Sequence, residues 1–370
     1  MKVMPPISSQ PSADQVHRAA EALRTGKLVG LPTETIYGVA ASLAQISGIN
    51  ALKSAVRIQG HPAWVIHVTT VDGLSQYISH FPPLAKRLVR RLWPGPVAIQ
   101  LPVDQADMER LWRVMGRPTT DEALVDGCLT FRCTEIEITR HIMDTTGDPV
   151  TVVGAPGNPR VESVDDLPEF LQNQLSVAIP GPLPRYKTLS TLVRIRGNQV
   201  DILREGAVAE RVIRRLEDLV IVFVCSGNTC RSPMAAGLAG QILAEKLHIP
   251  VDELASRHIL IRSAGVYATG GMHPTAEAIS VVSEMGVDIR KHRSAPLTDD
   301  LLRRADMIYT MTRAHRDEIV ARAALSAEKT FTLDPDGDID DPIGRGEEVY
   351  RRTAQRLEKL IRNRLAELEL

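Results

Sequence analysis

The residues best suited to do chemistry lie in one short segment, Cys225 to Pro233, which reads Cys-Ser-Gly-Asn-Thr-Cys-Arg-Ser-Pro. The apolar run before it predicts a buried strand, and the residues after about Ser232 predict a helix. A loop between a strand and a helix can bind an anion, because its backbone N–H groups and the helix N-terminus attract negative charge. The guanidinium of Arg231 could grip two phosphate oxygens at once. The spacing therefore predicts a phosphoryl-binding loop.

A cysteine at the start of such a loop is expected to be a nucleophile. The helix N-terminus and the Arg231 cation both stabilise a thiolate at Cys225, and a thiolate in line with a bound phosphorus atom can attack it. The alternative is a buried core cysteine, which is the commonest fate of an isolated cysteine. Gly227, Asn228 and Ser232 favour the loop, because they stand where it needs them. The predicted phosphate-binding residues are Ser226, Gly227, Asn228, Thr229 and Cys230.

Size and composition limit the classes of protein to which the chain can belong. Its 370 residues, 44% of them hydrophobic, suggest two or three domains with buried cores. The formal net charge of −1 gives no overall field that would attract nucleic acid or a membrane. Four cysteines do not make a disulfide framework here, and Cys128 and Cys133 lack the spacing of zinc ligands. With no apolar run of about 20 residues and no signal-type segment, we expect a cytoplasmic protein without membrane partners.

The order of the predicted elements divides the chain into two α/β domains. From Leu219 onward strands and helices alternate, which predicts a doubly wound parallel sheet over 219–370. Such sheets bind ligands at the carboxyl ends of their strands. Residues 10–207 predict a first mixed α/β domain, and the charged segment 208–218 predicts a linker. In the second domain we predict strands at 219–224, 259–262, 306–310 and 329–333, and helices at 232–247, 274–285, 298–304, 313–322 and 346–368.

Residues 219–370 resemble the low-molecular-weight protein phosphatase family. The resemblance rests on several motifs in the same order, namely Cys225–Ser232, Arg262–Gly265, Pro296–Thr298, Ala305-Asp306 with Met311-Thr312, and Asp341-Pro342. It implies that Cys225 forms a phosphocysteine while Arg231 and the loop amides stabilise the phosphoryl oxygens. Asp341 would be the general acid and then the general base. The resemblance further implies that Ser232 hydrogen-bonds the thiolate, that Asn228 braces the loop, and that no metal or cofactor is required.

Two questions remain open at the level of the sequence. Asp334-Pro335 is a second Asp-Pro pair and a rival for the acid, although Asp341 stands just before the final helix, as in the family. The acidic run around both pairs is also typical of a solvated loop. Thr229 stands where tyrosine-specific members usually carry an aliphatic residue, and Ile343 where they usually carry an aromatic one. Both departures favour phosphoarginine in protein substrates over phosphotyrosine.

Residues 10–207 resemble the threonylcarbamoyl-AMP synthase (YrdC-like) family, which has a twisted open α/β sheet. The motifs are Pro32–Gly38, His67, Leu92–Pro96, Arg132, Ser190-Thr191 and Arg204–Ala207. Authentic members condense L-threonine, bicarbonate and ATP for the modification of tRNA, and the resemblance extends to binding of double-stranded RNA. ATP, threonine, another nucleotide or tRNA are thus the ligands it implies. The pocket residues it implies are Thr33, Tyr37, Arg57, His67, Arg132 and Ser190.

The first domain departs from this family at the nucleotide site. The family's Lys-x-Arg is Ala55-Val56-Arg57 here, and its Ser-x-Asn is Gly154-Ala155-Pro156. A site without one lysine and two hydrogen-bonding side chains is expected to hold a triphosphate poorly. Three interpretations follow: an active synthase with an altered ATP site, a binding module for a nucleotide, an amino acid or RNA, or a structural partner of the phosphatase. We favour the second and third.

Overall fold

The computed structural model describes residues 12–56, 64–117, 123–155 and 161–368. The chain divides into two units, Met1–Leu216 and Glu217–Leu370. The segment 208–218, expected from its charge to be a linker, contains the helix Glu210–Leu216. Its Ile213 is fully buried in the apolar core of the first unit. Most of this segment is therefore part of the first unit, because Val208 and Leu216 also pack against that core.

The first unit has an open mixed sheet with helices on both faces. Its helices are α1 (Ala13–Arg24), α2 (Ile46–Ala55), α3 (Pro83–Leu92), α4 (Gln105–Met115), α5 (Glu137–Thr146), α6 (Glu169–Gln172) and α7 (Glu210–Leu216). Its strands are β1 (Leu28–Pro32), β2 (Tyr37–Ser42), β3 (Val65–His67), β4 (Val97–Pro102), β5 (Cys128–Arg132), β6 (Val150–Val153), β7 (Leu175–Ala178), β8 (Thr191–Arg196) and β9 (Gln199–Arg204). Within the described residues the strand order is β7-β1-β2-β6-β3-β5-β4-β8-β9.

Alternation along the strands of the first unit explains its two apolar layers. In β1, Leu28 joins the larger cluster with α2, α3, α4 and α7, whereas Val29 and Leu31 join the cluster beneath α1 and α5. Successive side chains of a strand point to opposite faces of a sheet. Since helices cover both faces, both sets are buried and β1 is apolar without interruption. The α/β fold expected for this part of the chain is confirmed.

The second unit is a doubly wound parallel sheet. Its strands are β10 (Leu219–Cys225), β11 (Ile259–Gly265), β12 (Met307–Thr310) and β13 (Thr330–Thr332), in the order β11-β10-β12-β13 with all pairs parallel. Its helices are α8 (Arg231–Leu247), α9 (Ala276–Glu284), α10 (Asp299–Arg304), α11 (Arg313–Arg322) and α12 (Glu347–Ala366). The predicted sheet is confirmed, and the largest difference in an element boundary, three residues, is at the end of β11.

Strand β10 places the predicted loop at a ligand-binding edge of this sheet. Ile221 and Phe223 join the cluster beneath α8 and α12, and Val222 and Val224 join the one beneath α10 and α11. The strand order reverses at β10, and such a switch point leaves a crevice at the carboxyl ends of the strands. Cys225 is the last residue of β10 and lies at this crevice. Among the described residues, none of the helices has both the length and the apolar character needed to cross a membrane.

Candidate active site

Asn228 fixes the shape of the loop that follows β10. Its φ of 58° lies in the left-handed region, which asparagine tolerates better than most residues. Its Nδ2 donates to Ser232 Oγ at 2.8 Å and to Ser263 Oγ at 2.9 Å, and its Oδ1 accepts from the Ala295 amide at 2.8 Å. The side chain is completely buried. One residue thus ties the loop to the start of α8, to β11 and to the segment before α10.

The end of β11 presses closely against the same loop. The amides of Val266 and Tyr267 donate to the carbonyl oxygens of Cys225 and Ser226, both at 3.0 Å. A Cβ atom on Gly265 would lie 2.5 Å from the Ser226 carbonyl oxygen and 3.0 Å from the Asn228 nitrogen. Any side chain at Gly265 would therefore push the loop backbone away, so this glycine is needed for the close approach.

The thiol of Cys225 is buried and lies within hydrogen-bonding distance of two groups of the loop and of α8. Its Sγ lies 3.0 Å from Ser232 Oγ and accepts from the Asn228 amide at 3.2 Å. The Cys225 side chain is only 3% exposed. The Asn228 amide is therefore directed at the buried sulfur, and the Ser232 hydroxyl is within reach to donate to the same atom. The contact between Ser232 and Cys225 is the one expected from the sequence.

Arg231, the first residue of α8, is buried with its guanidinium in the loop. Nη1 donates to the Ile339 carbonyl at 2.8 Å, and Nη2 donates to Asp341 Oδ2 at 2.5 Å and to Ser226 Oγ at 3.4 Å. Among the described residues, the buried Nε has no hydrogen-bond partner. A buried N–H group without a partner is costly. A phosphoryl oxygen in the loop would satisfy it.

The structure distinguishes the two rival aspartates. Asp341 contacts Arg231 inside the loop, yet its side chain is 41% exposed, so that it can reach an incoming substrate. Asp334 instead accepts from Arg356 of α12 at 2.6 and 3.2 Å and from the Asp336 amide. Burial acts to raise the pKa of Asp334, but the bonds from Arg356 and Asp336 hold that pKa below its usual value. Asp334 therefore has a structural partner, whereas Asp341 lies beside the loop and is partly exposed.

A histidine that the motifs did not single out also reaches the loop. His315 of α11 lies with Nε2 2.9 Å from Ser226 Oγ and with Nδ1 2.9 Å from Thr312 Oγ1. Burial, and after it the charge of Arg231, lowers the pKa of His315 to about 4. The ring is therefore neutral at physiological pH. The sequence signal is its place three residues after Thr312, the N-cap of α11, within the stretch that carries the Met311-Thr312 motif.

Thr229 and Cys230 complete the loop. The Thr229 carbonyl accepts from the Thr275 amide at 3.1 Å, and its side chain is half-buried, as is Gly227. Cys230 Sγ lies 3.3 Å from the Tyr350 hydroxyl, which also accepts from Thr275 Oγ1 at 3.1 Å. The loop is thus held from α9 and α12 as well. Every residue that the sequence assigned to the phosphate loop lies in the structure between the end of β10 and the start of α8.

The first unit contains a cavity of about 480 Å³ that gathers most of its predicted pocket residues. Thr33, His67, Arg132 and Ser190 all line it. Tyr37 is not among the lining residues. Its hydroxyl donates to the Ile179 carbonyl at 3.1 Å, and its ring is buried in the core. The predicted Arg57 lies outside the described residues.

Two arginines give the cavity a positive wall. Arg132 donates to Glu34 Oε1 at 2.8 Å and to Thr35 Oγ1 at 3.0 Å. Arg204 donates to the Ser190 carbonyl at 3.1 and 3.0 Å. Burial, and after it the charge of Arg132, lowers the pKa of Arg204. The two cations destabilise each other, and an anionic ligand would relieve that repulsion.

His67 offers the cavity a hydrogen-bond acceptor. Its Nδ1 lies 3.2 Å from the Val65 carbonyl, and burial, followed by the charge of Arg132, lowers its pKa to about 3. The neutral ring donates to that carbonyl when its proton is on Nδ1. Nε2 is then an acceptor, and it is buried without a partner among the described residues. A ligand hydroxyl or amine could donate a hydrogen bond to this nitrogen.

The positions that depart from the family motif give the cavity no polar side chains. Ala55 is fully buried in the apolar core, and Gly154 and Ala155 belong to the cavity wall. Pro156 lies outside the described residues. The sequence had not assigned Glu34 or Arg204 to the site, although both belong to motifs that it identified. Among the described residues, no three His, Cys, Asp or Glu side chains are grouped to hold a metal ion.

Comparisons with known proteins agree with this division of the chain. The family model described as "Low molecular weight phosphotyrosine protein phosphatase" matches residues 220–370, and the one described as "Telomere recombination" (Sua5, YciO and YrdC proteins) matches residues 21–206. The protein-arginine-phosphatase of Geobacillus stearothermophilus is 42% identical over 152 residues, which are 40% of this chain and 93% of that protein.

Two further relatives cover the two halves. The protein-arginine-phosphatase of Bacillus subtilis is 34% identical over 40% of this chain and 96% of its own length. The threonylcarbamoyl-AMP synthase of Pyrococcus abyssi is 26% identical over 59% of this chain and 63% of its own length. Low-molecular-weight protein-tyrosine-phosphatases match the second unit as well, at 34% identity in Staphylococcus epidermidis. The chain therefore belongs to both families, as a fusion of a YrdC-like domain with a hydrolase of the low-molecular-weight protein phosphatase family.

Proposed function

We propose that the second unit hydrolyses phosphoarginine in proteins, through a phosphocysteine formed on Cys225. The observation that carries the choice of phosphoarginine is Thr229, a half-buried hydroxyl in the loop where an aliphatic side chain would favour phosphotyrosine. The similarity to the protein-arginine-phosphatases of Geobacillus and Bacillus supports the same choice. Ile343, which is 59% exposed, follows the Asp341-Pro342 pair and provides no aromatic ring to stack on a phosphotyrosine.

In the first step the Cys225 thiolate attacks phosphorus. The S–P bond forms as the P–N bond of phosphoarginine breaks, and the electron pair of that bond goes to the guanidine nitrogen. Asp341, which takes up a proton from solvent once it has left Arg231, gives that proton to this nitrogen, so that arginine leaves as a neutral guanidine group that then takes up a proton from water. Arg231 and the loop amides stabilise the equatorial oxygens, where negative charge is concentrated.

In the second step Asp341 acts as a base. Its carboxylate takes a proton from water, the water oxygen bonds to phosphorus, and the S–P bond breaks to return the Cys225 thiolate. The hydrogen bonds from Ser232 and from the Asn228 amide stabilise the sulfur as it regains negative charge. Phosphate is then held only by Arg231 and the loop, and it can leave.

Asp341 and the substrate compete for the same guanidinium. Nη2 of Arg231 is bonded to Asp341 at 2.5 Å, and a bound phosphoryl group needs that N–H. Because Asp341 is partly exposed, it can turn away from Arg231 toward the leaving group as the phosphoryl group arrives. This exchange brings the acid to the bond that breaks.

A kinetic comparison of matched peptides tests the specificity. The peptides differ only in carrying phosphoarginine or phosphotyrosine, and kcat/KM is measured for each. We expect the wild type to prefer phosphoarginine, and Thr229→Ile to shift the ratio toward phosphotyrosine. Thr229→Val keeps the shape of threonine and removes only the hydroxyl, so the size of its shift toward phosphotyrosine shows how much of the preference comes from that hydroxyl. An unchanged ratio in Thr229→Ile would exclude Thr229 as the residue that reads the substrate.

For the first unit we propose a binding module that does not carry out ATP-dependent synthesis. Arg132, Arg204 and the acceptor on His67 support binding of a ligand that has an anionic group and a hydroxyl or amine. The absence of polar side chains at Ala55, Gly154 and Ala155 argues against a triphosphate. The described residues therefore do not fit ATP, and the candidate ligands are an amino acid, a nucleotide with fewer phosphates, or RNA.

Pyrophosphate release by the full-length protein tests this second proposal. We expect no threonine- and bicarbonate-dependent release of pyrophosphate from ATP. Thermal-shift titrations with threonine, AMP, ATP and double-stranded RNA should show stabilisation by at least one ligand other than ATP. Arg204→Gln is the control, because it removes one cation of the cavity and should abolish that stabilisation. Threonine-dependent turnover of ATP would show instead that the synthase is active.

A further inference from the structure

We infer that His315 is a positioning residue of the phosphatase, which holds the Arg231 guanidinium in its phosphate-binding orientation through the hydroxyl of Ser226. His315 contacts neither the nucleophile nor Asp341 by any hydrogen bond among the described residues. It acts indirectly, through hydrogen bonds that run from α11 by way of Ser226 to Arg231. The inference depends on the phosphatase chemistry of the loop and not on phosphoarginine as the substrate.

The chain of hydrogen bonds is short, and it runs between two buried side chains through the half-buried Ser226. Thr312 caps α11, and its Oγ1 accepts from the His315 amide at 3.2 Å and lies 2.9 Å from His315 Nδ1. Nε2 on the other side of the ring lies 2.9 Å from Ser226 Oγ, and that oxygen accepts from Arg231 Nη2 at 3.4 Å. The His315 side chain is 6% exposed and Arg231 4% exposed. With both ring nitrogens engaged, the imidazole has one fixed orientation.

Ser226 needs this support because a serine hydroxyl rotates freely. A hydroxyl with one partner can turn toward any neighbour, whereas a hydroxyl held by an imidazole keeps its lone pair directed at Arg231. Nη2 is also the nitrogen that Asp341 releases when a phosphoryl group binds. At that moment the Ser226 contact, together with the bond from Nη1 to Ile339, still fixes the plane of the guanidinium. A guanidinium fixed in advance loses less freedom when it binds the transition state.

The charges around the ring are consistent with a bracing role. Arg231 disfavours protonation of His315, whereas Asp338 and Asp341 favour it, and burial outweighs both carboxylates. The neutral imidazole therefore places no second cation beside Arg231. It also does not compete with that arginine for the phosphoryl group. A lysine or arginine at this position would place a second cation beside Arg231 and would compete with it for the phosphoryl group.

The test uses the full-length protein with p-nitrophenyl phosphate, and it compares inhibition by vanadate with inhibition by inorganic phosphate. Vanadate adopts the five-coordinate geometry of the transition state, and phosphate the tetrahedral geometry of the product. We expect Ser226→Ala and His315→Phe each to lower kcat about tenfold, the effect of one hydrogen bond to a charged group. The vanadate inhibition constant should rise by a similar factor, and the phosphate constant by less.

Three comparisons separate positioning from a merely structural role. A loss of folded enzyme lowers the apparent kcat but leaves inhibition constants unchanged, because these do not depend on the number of active sites. The double variant Ser226→Ala/His315→Phe should match the single variants, since His315 acts through Ser226. Ser226→Thr keeps a hydroxyl and should restore the vanadate constant. The matched surface control is His248→Asn, at the exposed C-cap of α8 with a φ of 55° that asparagine tolerates.

The inference is overturned if the vanadate constant is unchanged in Ser226→Ala, or if the two single effects multiply in the double variant. Should His315→Phe fail to fold, His315→Leu takes its place, because it also removes both ring nitrogens, and an unchanged vanadate constant in that variant overturns the inference. Because p-nitrophenyl phosphate is neither phosphoarginine nor phosphotyrosine, a wrong assignment of the natural substrate leaves this result unaffected.

Discussion

Each unit of the molecule contains a buried arginine paired with a carboxylate, and the two carboxylates differ in their exposure and in their other partners. Arg231 of the second unit pairs with Asp341, whose side chain is 41% exposed, and its Nε has no partner among the described residues. Arg132 of the first unit pairs with Glu34, which is 2% exposed. Glu34 also accepts from the Thr134 hydroxyl and from the backbone amide of residue 135.

The difference separates an arginine whose carboxylate partner can be replaced from one whose carboxylate partner stays in place. Asp341 can leave Arg231 at small cost, because its carboxylate is partly in water and a phosphoryl group replaces it. Glu34 cannot leave Arg132 without placing a charge in a dry interior, which costs several kcal/mol. Arg132 therefore shapes the wall of its cavity, whereas Arg231 can exchange its partner during a reaction.

The largest loss of kcat is expected when Cys225, the nucleophile beside Arg231, is replaced. Cys225→Ser should lower kcat by at least ~10⁴, because a serine alkoxide is far less accessible than a thiolate. Phosphate and vanadate should still bind, since Arg231 and the loop amides remain. Turnover is measured with an aryl phosphate, and binding by isothermal titration calorimetry. Substantial hydrolysis by the serine variant would contradict the covalent mechanism.

The next largest loss of kcat tests whether Asp341 leaves Arg231 and acts as the general acid. Asp341→Asn should lower kcat by ~10²–10⁴, the usual contribution of a general acid. The loss should be smaller for aryl phosphates, whose leaving groups need little protonation. Asp334→Asn is the matched control, because that residue is bonded to Arg356 and should mainly affect stability. If Asp334→Asn were the more damaging change to kcat, the assignment of the acid would be wrong.

Breaking the pair of Arg132 and Glu34 in the first unit should lower its stability and not an enzymatic activity. Glu34→Gln leaves Arg132 as an uncompensated buried charge and should lower the free energy of unfolding of this unit by about 3–5 kcal/mol. Thr134→Val is a milder comparison, since it removes one bond to the same carboxylate and keeps the charge pair. Both are measured by urea unfolding followed by circular dichroism. A loss below about 1 kcal/mol in Glu34→Gln would place this pair with ordinary surface ion pairs.

The pH dependence of the same pair has a definite sign. Burial acts to raise the pKa of Glu34, but the Arg132 charge and the bond from Thr134 outweigh it, so the folded-state pKa lies below the usual value. The stabilisation is therefore complete above about pH 4.3, the unfolded value, and it is lost as the pH falls through the folded value. Glu34→Gln should abolish this part of the acid destabilisation. If stability fell with decreasing pH in Glu34→Gln as it does in the wild type, the predicted contribution of Glu34 would be contradicted.

The phosphate loop could be predicted from the sequence almost completely, because its parts are consecutive. Cys225 to Ser232 are neighbours in the chain, so their spacing fixes the geometry of the loop once a strand precedes it and a helix follows. Its supports come from distant segments and were harder to find. The bonds from His315, Thr275 and Tyr350 depend on how α11, α9 and α12 pack, which no local spacing encodes.

The cavity of the first unit was predicted less well for the same reason. Its wall is assembled from segments between Thr33 and Arg204, so each motif gave at most two residues and no information on the direction of their side chains. Tyr37 has the right place in a motif, but it points into the core of the sheet. Glu34 stands beside Thr33 in the same motif, and the burial of its ion pair became visible only in the folded structure.

The smallest expected effect comes from restoring one lost donor to the cavity of the first unit. Gly154 stands where the related family carries a serine, and a Cβ there would lie 2.7 Å from Ile36 Cδ1. Ile36→Val removes that methyl group, so Gly154→Ser/Ile36→Val should place a hydroxyl in the cavity without a clash. One hydrogen bond to a phosphate oxygen, reduced by solvent access, should lower the dissociation constant for ATP about three- to tenfold.

Gly154→Ala/Ile36→Val is the matched control for this change, because it adds the same Cβ atom and omits the hydroxyl. Equilibrium dialysis of labelled ATP with the full-length protein measures both variants beside the wild type. The missing lysine at Ala55 should not be restored in the same way, since that position is fully buried in the core and a lysine there would be desolvated. Equal ATP binding by the serine and alanine variants would mean that the lost hydroxyl is not what weakens the nucleotide site. Weak binding of ATP to the cavity of the first unit would then need a cause other than the missing hydroxyl.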